Sequence, residues 1–146
     1  MRNFLRYPSI QAARTAASQR LLDIHDLHKM GILQVEHRLI DEGYEILFCN
    51  NDLDRYPQLK AYREEEALLW VVVHSAMYPE EPILSKEMAR ALLPHASEED
   101  ALIMFASVSF ENTRSNVPSL ASANGFFTPH TIRFEEIGRG YLRQIH

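Results

Sequence analysis

The stretch ALLWVVVHSA, residues 67–76, decides the fold of this chain. No polar residue interrupts it from Ala67 to Val73, and its β-branched valines favour extended backbone. A strand that is apolar on both faces normally lies inside a sheet covered by helices on both sides. ALLWVVV is therefore expected to be a central strand. It ends on His74, a position where an enzyme could place a catalytic group.

Downstream, after a loop from Met77 to Pro82, ILSKEMARALLPHA (83–96) reads as a helix with Ile83, Met88, Leu92 and Leu93 inward. ALIMFASVSF (101–110) is a second buried strand. A strand, a helix of about ten residues and a strand form a βαβ crossover, so the two strands should run parallel. Upstream lie the acidic turn Arg63-Glu64-Glu65-Glu66, a weaker extended piece from Tyr56 to Ala61, and the short strand YEILFC (44–49), which runs into a turn at Asn50-Asn51-Asp52. ILQVEHRLIDEG (32–43) places Ile32, Val35, Leu39 and Ile40 on one helical side and stops at Gly43, a natural left-handed cap. Before it, apolar residues from Ile10 to Met30 recur at helical steps, and Gly31 either bends that helix or divides it.

These elements predict an α/β domain: a three-layer sandwich with a central mixed sheet flanked by helices. One domain is expected over 1–146, with an N-terminal helix (1–30), an α/β core (31–110), a long polar loop (111–130), and a C-terminal edge strand and tail (131–146). In that edge strand Ile132, Phe134 and Ile137 alternate. The 146 residues, 46% hydrophobic and 24% charged, suit one globular core. The longest apolar run falls far short of the roughly 20 residues that cross a bilayer, so no membrane association is expected. The N-terminus lacks the apolar core of a secretory signal, and a single cysteine, Cys49, fits a reducing compartment; a cytoplasmic location follows as an expectation. A net charge of −5 gives no global field that would draw the chain to nucleic acid, although Arg2, Arg6, Arg14, Arg20 and Lys29 make the N-terminus mildly basic.

The order of elements, with Gly31, Glu36, Leu39, Gly43, Tyr44, Ile46, Leu47 and Asn50 in frame, resembles the PD-(D/E)xK nuclease superfamily, in particular its small bacterial Holliday-junction-resolvase-like branch. The resemblance covers about residues 20 to 110 and implies a restriction-endonuclease-like fold. The chemistry it implies is metal-assisted phosphodiester hydrolysis. That needs an aspartate on the second strand, then a glutamate and a lysine one residue apart on the third, so that both meet one Mg²⁺-bound water. Here the aspartate's position falls near Gln58, the glutamate's on Val72 and the lysine's on His74. Only the helical glutamate is matched, at Glu36. Valine cannot bind a metal and glutamine is a poor substitute for a carboxylate, so the resemblance implies a degenerate active site in which Glu36, Gln58 and His74 are vestigial.

Other constellations are weaker. His25 and His28, three apart in DIHDLH, share a helical face and could bridge a metal given a third ligand; a solvated face is the simpler reading. Asp52 and Asp54 could hold a cation, with Asp54 standing in for the missing carboxylate, but an Asn/Asp turn accounts for them. Ser107 and Ser109 lack a nucleophile elbow. Asn124, Phe126 and Phe127 in the polar loop could anchor a partner.

The expected function is therefore a non-catalytic interaction module without a cofactor. It would bind a protein partner or itself through the loop from Asn112 to His130 or through a sheet edge. The alternatives are a divergent Mg²⁺-dependent nuclease using Glu36, Asp54 or Gln58, and His74, or a nucleic-acid-binding protein that does not cleave.

Overall fold

The computed structural model describes residues 23–112 and 127–138. Helix α1 spans Ile24–Asp41 and is followed by strands β1 (Glu45–Cys49), β2 (Leu59–Tyr62) and β3 (Leu69–Met77). Helix α2 (Lys86–Glu98) then leads to β4 (Leu102–Asn112) and β5 (Phe127–Ile137). The strands form one mixed sheet in the order β1-β2-β3-β4-β5. Only β3 and β4 run parallel, joined by α2, which is the crossover expected from their spacing.

α1 starts at a reciprocal capping box, in which Asp23 Oδ1 accepts from Asp26 N at 2.9 Å and Asp26 Oδ2 accepts from Asp23 N at 3.1 Å. It ends as its sequence requires. Gly43 takes φ +94, its N–H donates to the Ile40 carbonyl, and Tyr44 N–H reaches the Leu39 carbonyl at 2.9 Å. This pair of bonds is the Schellman arrangement, and the left-handed residue it needs suits glycine.

The core has two halves, one on each face of the sheet. On the first, Leu27, Ile32, Val35 and Leu39 of α1 cover Val71, Val73, Ala106 and Val108. On the second, Ala89, Leu92 and Ala96 of α2 cover Trp70, Val72, Ile103 and Phe105. Val71, Val72 and Val73 have no solvent exposure, which is why β3 reads as an uninterrupted apolar run. The end of α2 is tied to the sheet by Glu99, whose carboxylate accepts from Trp70 Nε1 at 3.1 Å and pairs with Lys60 at 3.2 Å. The Lys60 ammonium also lies over the Trp70 ring, 5.0 Å from its centroid.

Several expectations need correction. α1 runs unbroken through Gly31, so the boundary placed between residues 30 and 31 falls inside a helix. Ile40 is 52% exposed and Ile83 80% exposed, so neither points inward; Leu84 takes the buried place expected for Ile83. The long loop is shorter at both ends than 111–130, because β4 continues to Asn112 and pairs with β5 from Phe127. Ile137 joins the α2 face, whereas Ile132 and Phe134 pack toward α1, as the period-two alternation of a strand demands. β3 does not end on His74. It continues to Met77 because β4 supplies a parallel ladder as far as Met77 opposite Phe110.

Candidate functional site

His74 sits on the α2 face of β3, two residues beyond Val72. Its ring meets the Phe105 ring edge-on, with centroids 5.3 Å apart, and the Tyr56 ring at 6.0 Å. Beside it opens a cavity of about 590 Å³ whose walls come from the start of α1 (Ile24, His28), the loop before β2 (Leu53, Tyr56), the carboxyl-terminal part of β3 and residues 80–83. The floor of this cavity is the end of β3, near where a parallel pair of strands typically exposes a crevice.

His28 is 3% exposed, and its Nε2 lies 3.1 Å from the Asp52 carbonyl oxygen. A carbonyl only accepts, so Nε2 carries the proton and Nδ1 keeps its lone pair. Burial pushes the pKa of His28 below its ordinary value; nearby His25 adds to this, and the bond to Asp52 opposes it. Burial also lowers His74, with His28 as the second cause. Both imidazoles are thus held as neutral bases.

This has a consequence for stability. In the unfolded chain each histidine titrates near 6.5, and in the fold each titrates lower. The contribution of the neutral rings is present in full above the unfolded value and is lost as pH falls toward the folded values. Urea unfolding midpoints are expected to decline below about pH 6.5, and to decline less steeply in a His74→Gln variant. Equal slopes for the two proteins would contradict the assignment.

The other candidates do not converge on His74. Gln58 is fully buried and makes a structural joint: its Oε1 accepts from Val73 N at 2.8 Å, and its Nε2 donates to the carbonyls of Arg55 (3.0 Å) and Asp52 (3.4 Å). Glu36 is half-buried and does not line the cavity; its charge acts on Cys49, where burial first and Glu36 second raise the thiol pKa. Asp54 is exposed, and its charge raises the Tyr56 hydroxyl after burial has done so. Val72 is packed under α2. Among the described residues no three His, Cys, Asp or Glu side chains come together in a way that could hold a metal ion.

The NNDLDR segment is a turn, as its composition suggests. Asn50 Oδ1 accepts from Asp52 N at 2.7 Å, and Asn50 Nδ2 donates to the Pro57 carbonyl at 2.9 Å. The solvated reading of DIHDLH holds for His25, which is exposed, and fails for His28, which is buried. Ser109 is buried and donates to the Glu80 carbonyl at 2.9 Å, a fastening for the loop after β3. Asn124 and Phe126 lie outside the described residues, and Phe127 opens β5. Sequence reasoning missed Tyr56, Glu80 and Glu81 as cavity residues because no spacing links them to His74.

A second exposed feature is β1, the terminal strand of the sheet beyond β2. Four of its five residues are exposed, with Leu47 at 54% and Phe48 at 43%. A register shift between Ile46 and Phe48 leaves Leu47 as an extra residue in the ladder. No helix among the described residues is long and apolar enough to cross a membrane.

No curated protein and no solved structure matches the chain. The model of the family described as a domain of unknown function (DUF8840) matches residues 25–131, from the first turn of α1 into β5. With well over half its length matched, this chain belongs to the DUF8840 family.

Proposed function

We propose that this protein is a non-catalytic interaction module on a nuclease-like fold, and that it engages a protein partner, a second copy of itself included, through the β1 edge. The observation that carries the reading is a terminal strand with Leu47 and Phe48 in water and Tyr62 of the adjoining strand 39% exposed. Natural edge strands are blunted by charge, proline, bulges or short length; β1 is short and bulged at Leu47, but it has no proline, no lysine and one acidic residue, Glu45. An incoming strand would gain main-chain hydrogen bonds along this edge and apolar contacts beside it. The absence of catalysis is supported by the burial of Gln58 and Val72, the positions that the resemblance would assign to the nuclease carboxylates.

Sedimentation velocity on the full chain tests the edge. The wild-type protein is expected to associate as its concentration rises, and Leu47→Lys to remain monomeric, because a charge at the seam must be desolvated on pairing. A wild-type protein that is monomeric at every accessible concentration contradicts self-pairing. Calorimetric titration with Mg²⁺ and Mn²⁺ tests the nuclease alternative. Neither the wild type nor Glu36→Ala is expected to bind; wild-type binding that Glu36→Ala abolishes would restore a metal site and overturn the non-catalytic reading.

A further inference from the structure

We infer that the cavity at the carboxyl-terminal part of β3 is a binding site for a small apolar amine, a monocation with an aromatic or branched hydrocarbon body. Its volume of about 590 Å³ suits a small organic molecule. Its walls are rich in acceptors and poor in charged donors. No lysine or arginine lines it among the described residues, whereas Glu80 and Glu81 do. Glu81 is paired with Arg133; Glu80 has no ion-pair partner among the described residues. His28 commits Nε2–H to Asp52 and so keeps a lone pair on Nδ1, and His74 makes no side-chain hydrogen bond among the described residues. An ammonium group brings the donors these acceptors lack and the charge that Glu80 balances. The Tyr56 ring in the cavity wall is an aromatic group of the kind that attracts a cation. Ile24 and Ile83, 56% and 80% exposed beside the cavity, are large apolar groups that a hydrocarbon body would cover. An anion meets the Glu80 carboxylate and no lysine or arginine in the lining among the described residues.

The test is a series of similar shape and different charge: benzylamine, benzyl alcohol and benzoate, titrated into the isotope-labelled full chain above the ordinary histidine pH range. The ring resonances of His28 and His74 are the readout. Benzylamine is expected to shift both and to bind several-fold more tightly than benzyl alcohol, with benzoate leaving them in place. Glu80→Gln is expected to weaken benzylamine about two- to fivefold and leave benzyl alcohol unchanged. The substitution keeps the main-chain bonds of residue 80 to Met77 and Ser109, so folding is not at issue. Benzoate binding as tightly as benzylamine, equal affinity for the amine and the alcohol, an unaltered amine affinity in Glu80→Gln, or no shift with any ligand would each overturn the assignment.

Discussion

Gly31→Ala is expected to destabilise the fold by about 2–3 kcal/mol, although the same change in the middle of an ordinary helix stabilises by up to about 1 kcal/mol. Gly31 is buried where α1 crosses β3. A Cβ built there would overlap Ser75 Oγ, far inside van der Waals contact, and would lie only 3.1 Å from Ser75 Cβ, with Val73 Cγ1 at 3.7 Å. Rotating the hydroxyl away relieves the first contact but not the second, so helix and sheet must give by a few tenths of an ångström. Packed interiors resist that shift. Ser75 supplies the control. Its Oγ is buried and has no hydrogen-bond partner among the described residues, so Ser75→Ala removes an unsatisfied polar atom and is expected to be neutral or stabilising by up to about 1 kcal/mol. The double variant should recover part of the loss, giving a coupling energy of about 1–2 kcal/mol between two sites in contact. Urea unfolding of the four proteins measures this cycle. A Gly31→Ala variant more stable than wild type would show that α1 does not approach β3 this closely.

The second large effect is expected at Gln58. β2 and β3 pair through Leu59 opposite Val71, and the main chain of Gln58 adds one more bond, from its N–H to the Val71 carbonyl. Beyond that point the strands part and the side chain continues the ladder, accepting from Val73 N–H and holding the 52–55 loop by its amide. Gln58→Ala leaves a buried N–H without a partner and a cavity in the core, with an expected loss of about 3–5 kcal/mol. Gln58→Glu is the more informative change because it puts an acid of the same size at a fully buried position. One oxygen can still accept from Val73 N–H, but the other faces two carbonyl oxygens in the interior. Burial and those oxygens oppose the charge, so the new carboxyl should titrate higher in the folded than in the unfolded chain. Its effect is then smallest in acid, and stability falls as pH rises from about 4.3 through the raised folded value. A variant as stable at neutral pH as in acid would mean that the site tolerates a carboxylate and would contradict the raised titration expected of it.

Much of the fold could be read from local pattern. Val71, Val72 and Val73 announce a strand covered on both faces, the helical stretch between β3 and β4 imposes a parallel crossover, and Gly43 marks the end of α1. Each depends on neighbours within a few residues, where backbone sterics and side-chain periodicity act. The candidate site was less readable. His74 is legible as a candidate, but as the end of a strand that in the fold runs on to Met77. The spacing makes His28 half of an exposed pair with His25, whereas the fold buries it against the Asp52 carbonyl. Analogy places Glu36 beside His74, yet Glu36 does not line the cavity.

The sequence by itself determined that the chain is α/β, that β3 is central and parallel to β4, and where α1 stops, because a seven-residue apolar run, a crossover length and a left-handed glycine leave few alternatives. The tertiary structure alone decided which polar residues matter. Gln58, His28 and Ser75 take their roles from partners 15 to 44 residues away along the chain, Val73, Asp52 and Gly31. Separations of that size carry no periodic signal, so only the packed sheet and its covering helices bring these residues together.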